Sequence, residues 1–349
     1  MARAWYRLEV VALLALLIVA PTVFFYFLII RGSDRYEPEP FWLLSVAFFW
    51  GAVVSTLTAI VFNEVGEGAV RASLGAGQAA LVDASTASFV APLVEESSKG
   101  FGMLVLWAIC SLWVKEIDGA LDGAIYGGVI GLGFTMTEDV LYIASAGSQH
   151  GGEAFFQVFV LRTVLAGLGH ASFTAMTGLG IGIAVESSSG LVKLLAPIGG
   201  WTAAVGLHFL HNYLVTFLYD GGSGLVLKLL LFWTFDAIFF LVILTLAIRD
   251  RAIVLKGLVD EAGRSLHPKE LHRTASYWML VPTWNFFSLM GSTKGYGEAR
   301  RKQLDLIELS FLKHRRRRGE RGQELDAREQ ELRQRIQLAN QAGVFIGAR

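Results

Sequence analysis

The stretch Ala91-Pro92-Leu93-Val94-Glu95-Glu96-Ser97-Ser98-Lys99-Gly100 sets two adjacent carboxylates and an ammonium inside a long apolar run. An ionised side chain in hydrocarbon costs at least ~2.5 to 3.5 kcal/mol even on lenient insertion scales, so such groups need partners or a task. On a helix Lys99 falls one turn beyond both carboxylates, at i+4 from Glu95 and i+3 from Glu96, so one ion pair forms and about one negative charge remains. The remaining carboxylate can hold a water, a metal ion or a proton. The bland alternative is a helix end at headgroup level whose charges snorkel to water.

Further polar groups interrupt the apolar runs: Glu138 with Asp139, Arg162, His170, His208 with His211 and Asn212, and Asp236. Taken singly, each has a structural reading, because a lone histidine on an apolar face is more often a packing residue than a ligand. Their placement together carries more weight. Successive helices alternate in direction and rise ~1.5 Å per residue. Glu95 is early in the third helix, Glu138 late in the fourth, His170 early in the hydrocarbon part of the fifth and His208 late in the sixth. All four therefore fall in one half of the bilayer, roughly 12 to 18 Å below the surface opposite the C-terminal tail. His208 and Asn212, His170 and Thr174, and Phe134 and Glu138 each share a helix face at i, i+4, where one member can buttress the other. Arg162 can neutralise surplus carboxylate. His211 is either a second ligand or structural, and Asp236 with Lys228 reads as an ion pair within the last span.

Carboxylates and imidazoles converging from four helices suit a divalent metal, or general acid and base work on water. A water held between Glu95 or Glu96 and a metal would be a nucleophile for a peptide carbonyl, with Asn212 or an imidazole at the oxyanion. There is no His-Glu-x-x-His motif, Ser/His/Asp set, phosphate loop or zinc-type cysteine pair, and His150-Gly151-Gly152-Glu153 reads as a loop.

The elements that must position these residues follow from composition. The 349 residues are 54% hydrophobic and only 17% charged, with a mean hydropathy of +0.50, the profile of an integral membrane protein. Charges are sparse to residue 248 and dense from Arg249 to Arg349, which predicts a transmembrane domain over 1–248 and a charged helical tail over 249–349. The fold class is all-α, a polytopic helix bundle of seven or eight spans. Spans are expected over residues 8–30, 41–62, about 89–114, 119–146, 154–185, 191–219 and 225–248. Residues 63–88 are too polar to face lipid and read as interfacial or re-entrant, or as an eighth crossing. Gly119, Gly123, Gly127, Gly131 and their neighbours make the fourth span an interior helix. Within the tail, Tyr277, Trp278, Trp284, Phe286 and Phe287 suit a membrane surface, and a further helix is expected over about 298–338, where Leu325 and Leu332 permit a short coiled coil. With the tail in the cytosol and seven spans, the inner short loops carry Arg31, Arg35, Lys115 and Lys193 against Arg71 outside, although Arg3 and Arg7 then fall outside. The single cysteine, Cys110, excludes an intrachain disulfide.

The series Ala91-Pro92-Leu93-Val94-Glu95-Glu96 with Lys99, Phe134 with Glu138-Asp139, Arg162 with His170 and Thr174, and His208 with Asn212 resembles the motifs of the PrsW-type intramembrane metalloproteases, over roughly residues 40 to 250. That family is distantly related to the CAAX prenyl proteases. The resemblance implies a multi-helix membrane protease that cleaves membrane-embedded or membrane-proximal segments, as in regulated proteolysis of anti-sigma factors. It implies catalytic roles for Glu95 and Glu96, with Glu138, His170 and His208 holding the metal, zinc being the expected ion, or the activated water. Lys99, Arg162 and Asn212 support them. The expected setting is a bacterial cytoplasmic membrane with the tail cytosolic, a membrane-protein substrate, no nucleic acid, and a tail able to bind a protein partner or another copy. An ion- or proton-coupled transporter and a catalytically silent scaffold are the rival classes, although neither repeats nor paired broken helices favour a carrier.

Overall fold

The computed structural model describes residues 2–75, 77–113, 116–217 and 222–347. Lys115, counted above among the inner-loop charges, the expected helix end at Val114 and the loop residues 218–221 lie outside them. The chain divides into two compact units, Met1–Arg31 with Glu39–Ile243, and Gly32–Pro38 with Leu244–Arg349.

The first unit is helical throughout. α1 covers Ala2–Arg31. α2 (Phe41–Phe49) passes through a π turn, Trp50–Ser55, into α3 (Thr56–Leu74) without a break. α4 (Ala79–Ser85) likewise passes through a π turn, Thr86–Val90, into α5 (Ala91–Trp113). α6 is Ala120–His150. α7 (Gly152–Val158) and the π turn Phe159–Leu165 precede α8 (Gly169–Glu186). α9 is Gly190–Phe217, and α10, Gly222–Leu258, is the helix within which the chain passes to the second unit.

Among the described residues, six helices are long and apolar enough to cross a membrane: Leu8–Arg31, Phe41–Leu74, Ala120–His150, Gly152–Glu186, Gly190–Phe217 and Val226–Glu261. Seven or eight were expected. The difference at α5 is compositional, since its 23 residues would rise about 34 Å but carry Glu95, Glu96 and Lys99. No separate helix occupies residues 63–88: the first part prolongs the second span as α3, and the second part leads into α5 as α4 and its π turn.

α6 is the interior helix, buried at every residue from Ala120 to Thr135. Its glycines place backbone against backbone. A Cβ at Gly123 would lie 2.1 Å from the Gly178 carbonyl oxygen of α8, and one at Gly131 would lie 2.2 Å from that of His170. Such close approach is how helices associate in lipid, where apolar burial gives no driving force between them.

The second unit has its own core, in which Val254 and Leu258 of α10 meet Leu306, Leu309, Leu332 and Ile346. Its remaining helices are α11 (Pro268–Ala275), α12 (Pro282–Met290), α13 (Tyr296–Arg317) and α14 (Gln323–Gln341). The single helix expected over 298–338 is thus two, because the chain turns at Gly319, whose φ of +96° suits glycine. Arg328 to Glu308 at 2.8 Å and Arg335 to Asp305 at 2.7 Å hold the pair together. Leu332 and Ile336 point into this core. The 32–38 loop belongs to it as well: the buried Tyr36 hydroxyl donates to the Ala275 carbonyl at 2.8 Å, and the Arg35 guanidinium lies 3.9 Å from the Tyr277 ring centre.

Candidate active site

Four helices bring the predicted residues together. Glu95, Glu96 and Lys99 lie on the first turns of α5, just beyond the π turn Thr86–Val90. Glu138 and Asp139 come from α6, His170 and Thr174 from the start of α8, and His208 from α9. The π geometry has a local role. A π turn leaves backbone carbonyls without their usual helical partners, so side chains must supply donors. Asn212 donates to the carbonyl of Ala87 at 2.9 Å, and Thr137 donates to that of Ala52 at 2.7 Å.

Lys99 is fully buried and sits in a cage of acceptors. Its Nζ lies 2.8 Å from Glu96 Oε1, 3.5 Å from Glu95 Oε2 and 3.0 Å from His170 Nδ1, with the Phe134 ring centre at 3.7 Å. Glu96 accepts in addition from Thr174 Oγ1 at 2.8 Å and lies 3.1 Å from His208 Nδ1. Glu138 Oε2 receives Arg162 Nη2 at 2.6 Å and meets His170 Nε2 at 2.8 Å. Asp139 takes Arg162 Nε at 3.0 Å and Thr163 Oγ1 at 2.8 Å. The two imidazoles stand nearly perpendicular, 4.9 Å apart, and Phe173 stacks on His208.

Glu95, His170 and His208 each offer one ligand atom, and those atoms lie within 4.8 Å of one another. One carboxylate and two imidazoles form a donor set that suits zinc and neighbouring divalent ions. The charges agree. With all four carboxylates ionised, Glu95, Glu96, Glu138 and Asp139 against Lys99 and Arg162 would leave two negative charges uncompensated, the charge of one divalent cation. A cavity of about 420 Å³ opens on the cluster, lined by Glu95, Glu138, His170 and His208 and extending to Val215 and Lys228.

Several expectations meet different partners. Glu138 stands beside the trio as a hydrogen-bond partner of His170, and the carboxylate within the trio is Glu95. Thr174 serves Glu96 instead of His170, and Asn212 serves the π turn instead of His208. Phe134 meets His170 edge to face and carries Lys99 over its own face. Arg162 bridges both α6 carboxylates, as surplus negative charge requires. Asp236 accepts from Ser172 at 3.3 Å, and His211 stacks on Phe232 with its Nδ1 buried and unpartnered among the described residues. Reading the sequence missed Thr163, which follows Arg162 directly, and Asn63, whose Nδ2 reaches Glu95 Oε1 at 3.4 Å. Asn63 belongs to the stretch too polar to face lipid, which was its signal.

A polytopic helical bundle that buries carboxylates, imidazoles and counter-cations around one cavity defines an integral membrane protein with a built polar site. The family model of the PrsW family intramembrane metalloproteases matches residues 39–246. The chain belongs to that family: it is a membrane peptidase, it depends on a divalent metal, and its substrates are membrane-embedded. No curated protein and no solved structure matches the chain.

Proposed function

We propose that the chain cleaves peptide bonds within or beside the membrane spans of regulatory membrane proteins, of which anti-sigma factors are one class, and that Glu95, His170 and His208 hold one zinc ion for that purpose. The convergence of these three donors within 4.8 Å beside a cavity of about 420 Å³ is the observation that supports the reading. When bound, such an ion polarises a carbonyl and makes water a nucleophile at neutral pH.

The remaining groups orient and transfer. Glu96, held by Lys99 and Thr174, fixes the His208 ring through Nδ1 and leaves its other nitrogen for the ion. Glu138, anchored by Arg162 and lining the cavity, is placed to take a proton from water and return it to the leaving amine. Asp139, itself held by the Thr163 hydroxyl, holds Arg162 in turn. The same proposal puts the enzyme in a bacterial cytoplasmic membrane with its Arg-rich tail in the cytosol, free to meet a protein partner or a second copy.

The test is metal content together with cleavage of a membrane substrate by purified, reconstituted protein. Wild type should bind about one zinc per chain and cleave. His170→Ala and His208→Ala should lose the ion, whereas Glu138→Gln should keep it and lose cleavage. If Glu138→Gln loses the ion and Glu95→Gln keeps it, the two carboxylates exchange roles. If wild type binds no metal and the variants change nothing, the cluster is conductive or structural, and ion flux becomes the assay.

A further inference from the structure

A second cavity, of about 380 Å³, meets the first at Glu95 and Glu138. One wall is α3 from Thr56 to Glu67, the opposite wall is formed by α4, the π turn and the start of α5, and α6 closes the floor with Phe134, Leu141 and Tyr142. Two polar atoms on facing walls have no partner among the described residues although they are buried: Asn63 Oδ1 and Thr86 Oγ1. Both residues line this cavity. The Asn63 amide is oriented by its other end, which donates to Glu95 Oε1 at 3.4 Å.

A buried polar atom left unpaired is costly, and in hydrocarbon no water relieves it. A peptide bond that is to be hydrolysed inside a membrane poses the complementary problem. Within a helix its carbonyl is hydrogen-bonded and shielded, so the segment must unwind, and its freed N–H and C=O groups then have no partner in lipid. An acceptor and a hydroxyl on facing walls, next to the reacting carboxylates, answer that need. α3 also suits a wall through which a chain arrives laterally: only Thr56 and Ala59 of this helix are buried, whereas Ile60, Val61 and Val65 are 51%, 56% and 64% exposed.

We infer that this cavity is the cleft that takes the unwound backbone of a membrane-embedded substrate, with Asn63 Oδ1 accepting a substrate N–H and the Thr86 hydroxyl donating to a substrate C=O. Both are positioning residues: they hold the peptide across Glu95 and Glu138 and take no part in the proton transfers. The inference rests on the protease reading given above and adds the side from which the substrate reaches the cluster.

The experiment uses full-length protein in vesicles and a fluorescent single-span peptide of about 20 apolar residues, interrupted at its centre by Gly-Pro. A photoactivatable benzophenone amino acid is placed in turn at Ile60 in the cleft, at Leu93 in the lipid-facing groove between α3 and α5, and at Val215 at the far mouth of the first cavity. Expected is labelling at Ile60 that unlabelled peptide competes away, with little at Leu93 or Val215. Thr86→Val, which removes only the hydroxyl, and Asn63→Ala should each raise KM roughly tenfold, the effect of one lost hydrogen bond, with metal content unchanged in Thr86→Val. For Thr86→Val kcat should stay within about twofold. Cleavage with labelling confined to Val215 or Leu93, and with KM unmoved by Thr86→Val, overturns the cleft and leaves the protease reading standing. Labelling at Ile60 without cleavage supports the cleft and counts against the protease reading. A peptide neither labelled at any position nor cleaved overturns both.

Discussion

Replacing Lys99 by methionine is the sharpest perturbation of the cluster, because it removes a charge and little volume. Lys99 and Glu96 are fully buried and 2.8 Å apart, and the ammonium also faces His170 and the Phe134 ring. Taking one partner from such a pair strands the other, at a cost of about 3–5 kcal/mol. For folding units of this size that is a fall in Tm of roughly 10 °C. The Lys99→Met, Glu96→Gln double variant removes both charges and should recover a large part of the loss, since the two residues are directly coupled. A divalent ion held among the same carboxylates would take over the neutralising role of Lys99. Lys99→Met should therefore bind metal more tightly than wild type, and its loss of stability should be larger in chelator than with metal present. Thermal unfolding in detergent with and without chelator measures both. A loss below about 1 kcal/mol would refute the charge reasoning, and an equal loss in both conditions would refute the shared-cation reasoning.

Two further outcomes are expected. Gly178→Ala places a Cβ 1.8 Å from the Gly123 carbonyl oxygen, so α6 and α8 must separate; a stability loss of about 1–3 kcal/mol should come with lost cleavage, although Gly178 is not part of the cluster, and unchanged activity would show that the helix contact does not set the site. In the tail unit, burial pushes the Tyr36 hydroxyl above the ordinary tyrosine range. Above pH of about 10 the unfolded chain therefore binds fewer protons than the native one, and stability falls as pH rises; hydrogen exchange of the tail amides should show this slope in wild type and a flatter one in Tyr36→Phe.

The parts of the site that the sequence made legible are those governed by local arithmetic. Three- and four-residue spacing gave the Lys99 pairing, and alternating helix direction gave the common depth of Glu95, Glu138, His170 and His208. Helix rotation is not encoded in spacing. Thr174 was therefore expected beside His170, yet it turns towards Glu96. Asn212 was open to misreading for a different reason: its partner is a carbonyl freed by a π turn, and nothing in the composition of residues 86–90 announces one. In the tail, strong helix formers on both sides of Gly319 concealed the turn between α13 and α14. The clasp on Tyr36 was invisible because its partner Ala275 lies 239 residues away.

That clasp also bears on the number of crossings. Residues 32–38 follow the first span and residues beyond Glu261 follow the last, yet Tyr36 is bonded to Ala275 within one compact unit, so both are expected to emerge on the same side of the membrane. The chain must then cross an even number of times between them. The apolar helices after α1 supply five crossings, those of Phe41–Leu74, Ala120–His150, Gly152–Glu186, Gly190–Phe217 and Val226–Glu261. Parity therefore requires one more crossing, and α5, continuous with α4 through the π turn, is the helix expected to make it despite its three charges. The expected topology is then seven spans, with the start of α1 on the side opposite residues 32–38. Cys110 is the chain's one cysteine, so a Cys110→Ala background makes the test direct. Single cysteines in place of Glu37 and Glu320 should react with an impermeant maleimide from one side, and one in place of Gln78 should react from the other. Opposite sides for Glu37 and Glu320 would break the parity argument, and with it the passage of α5 through the membrane.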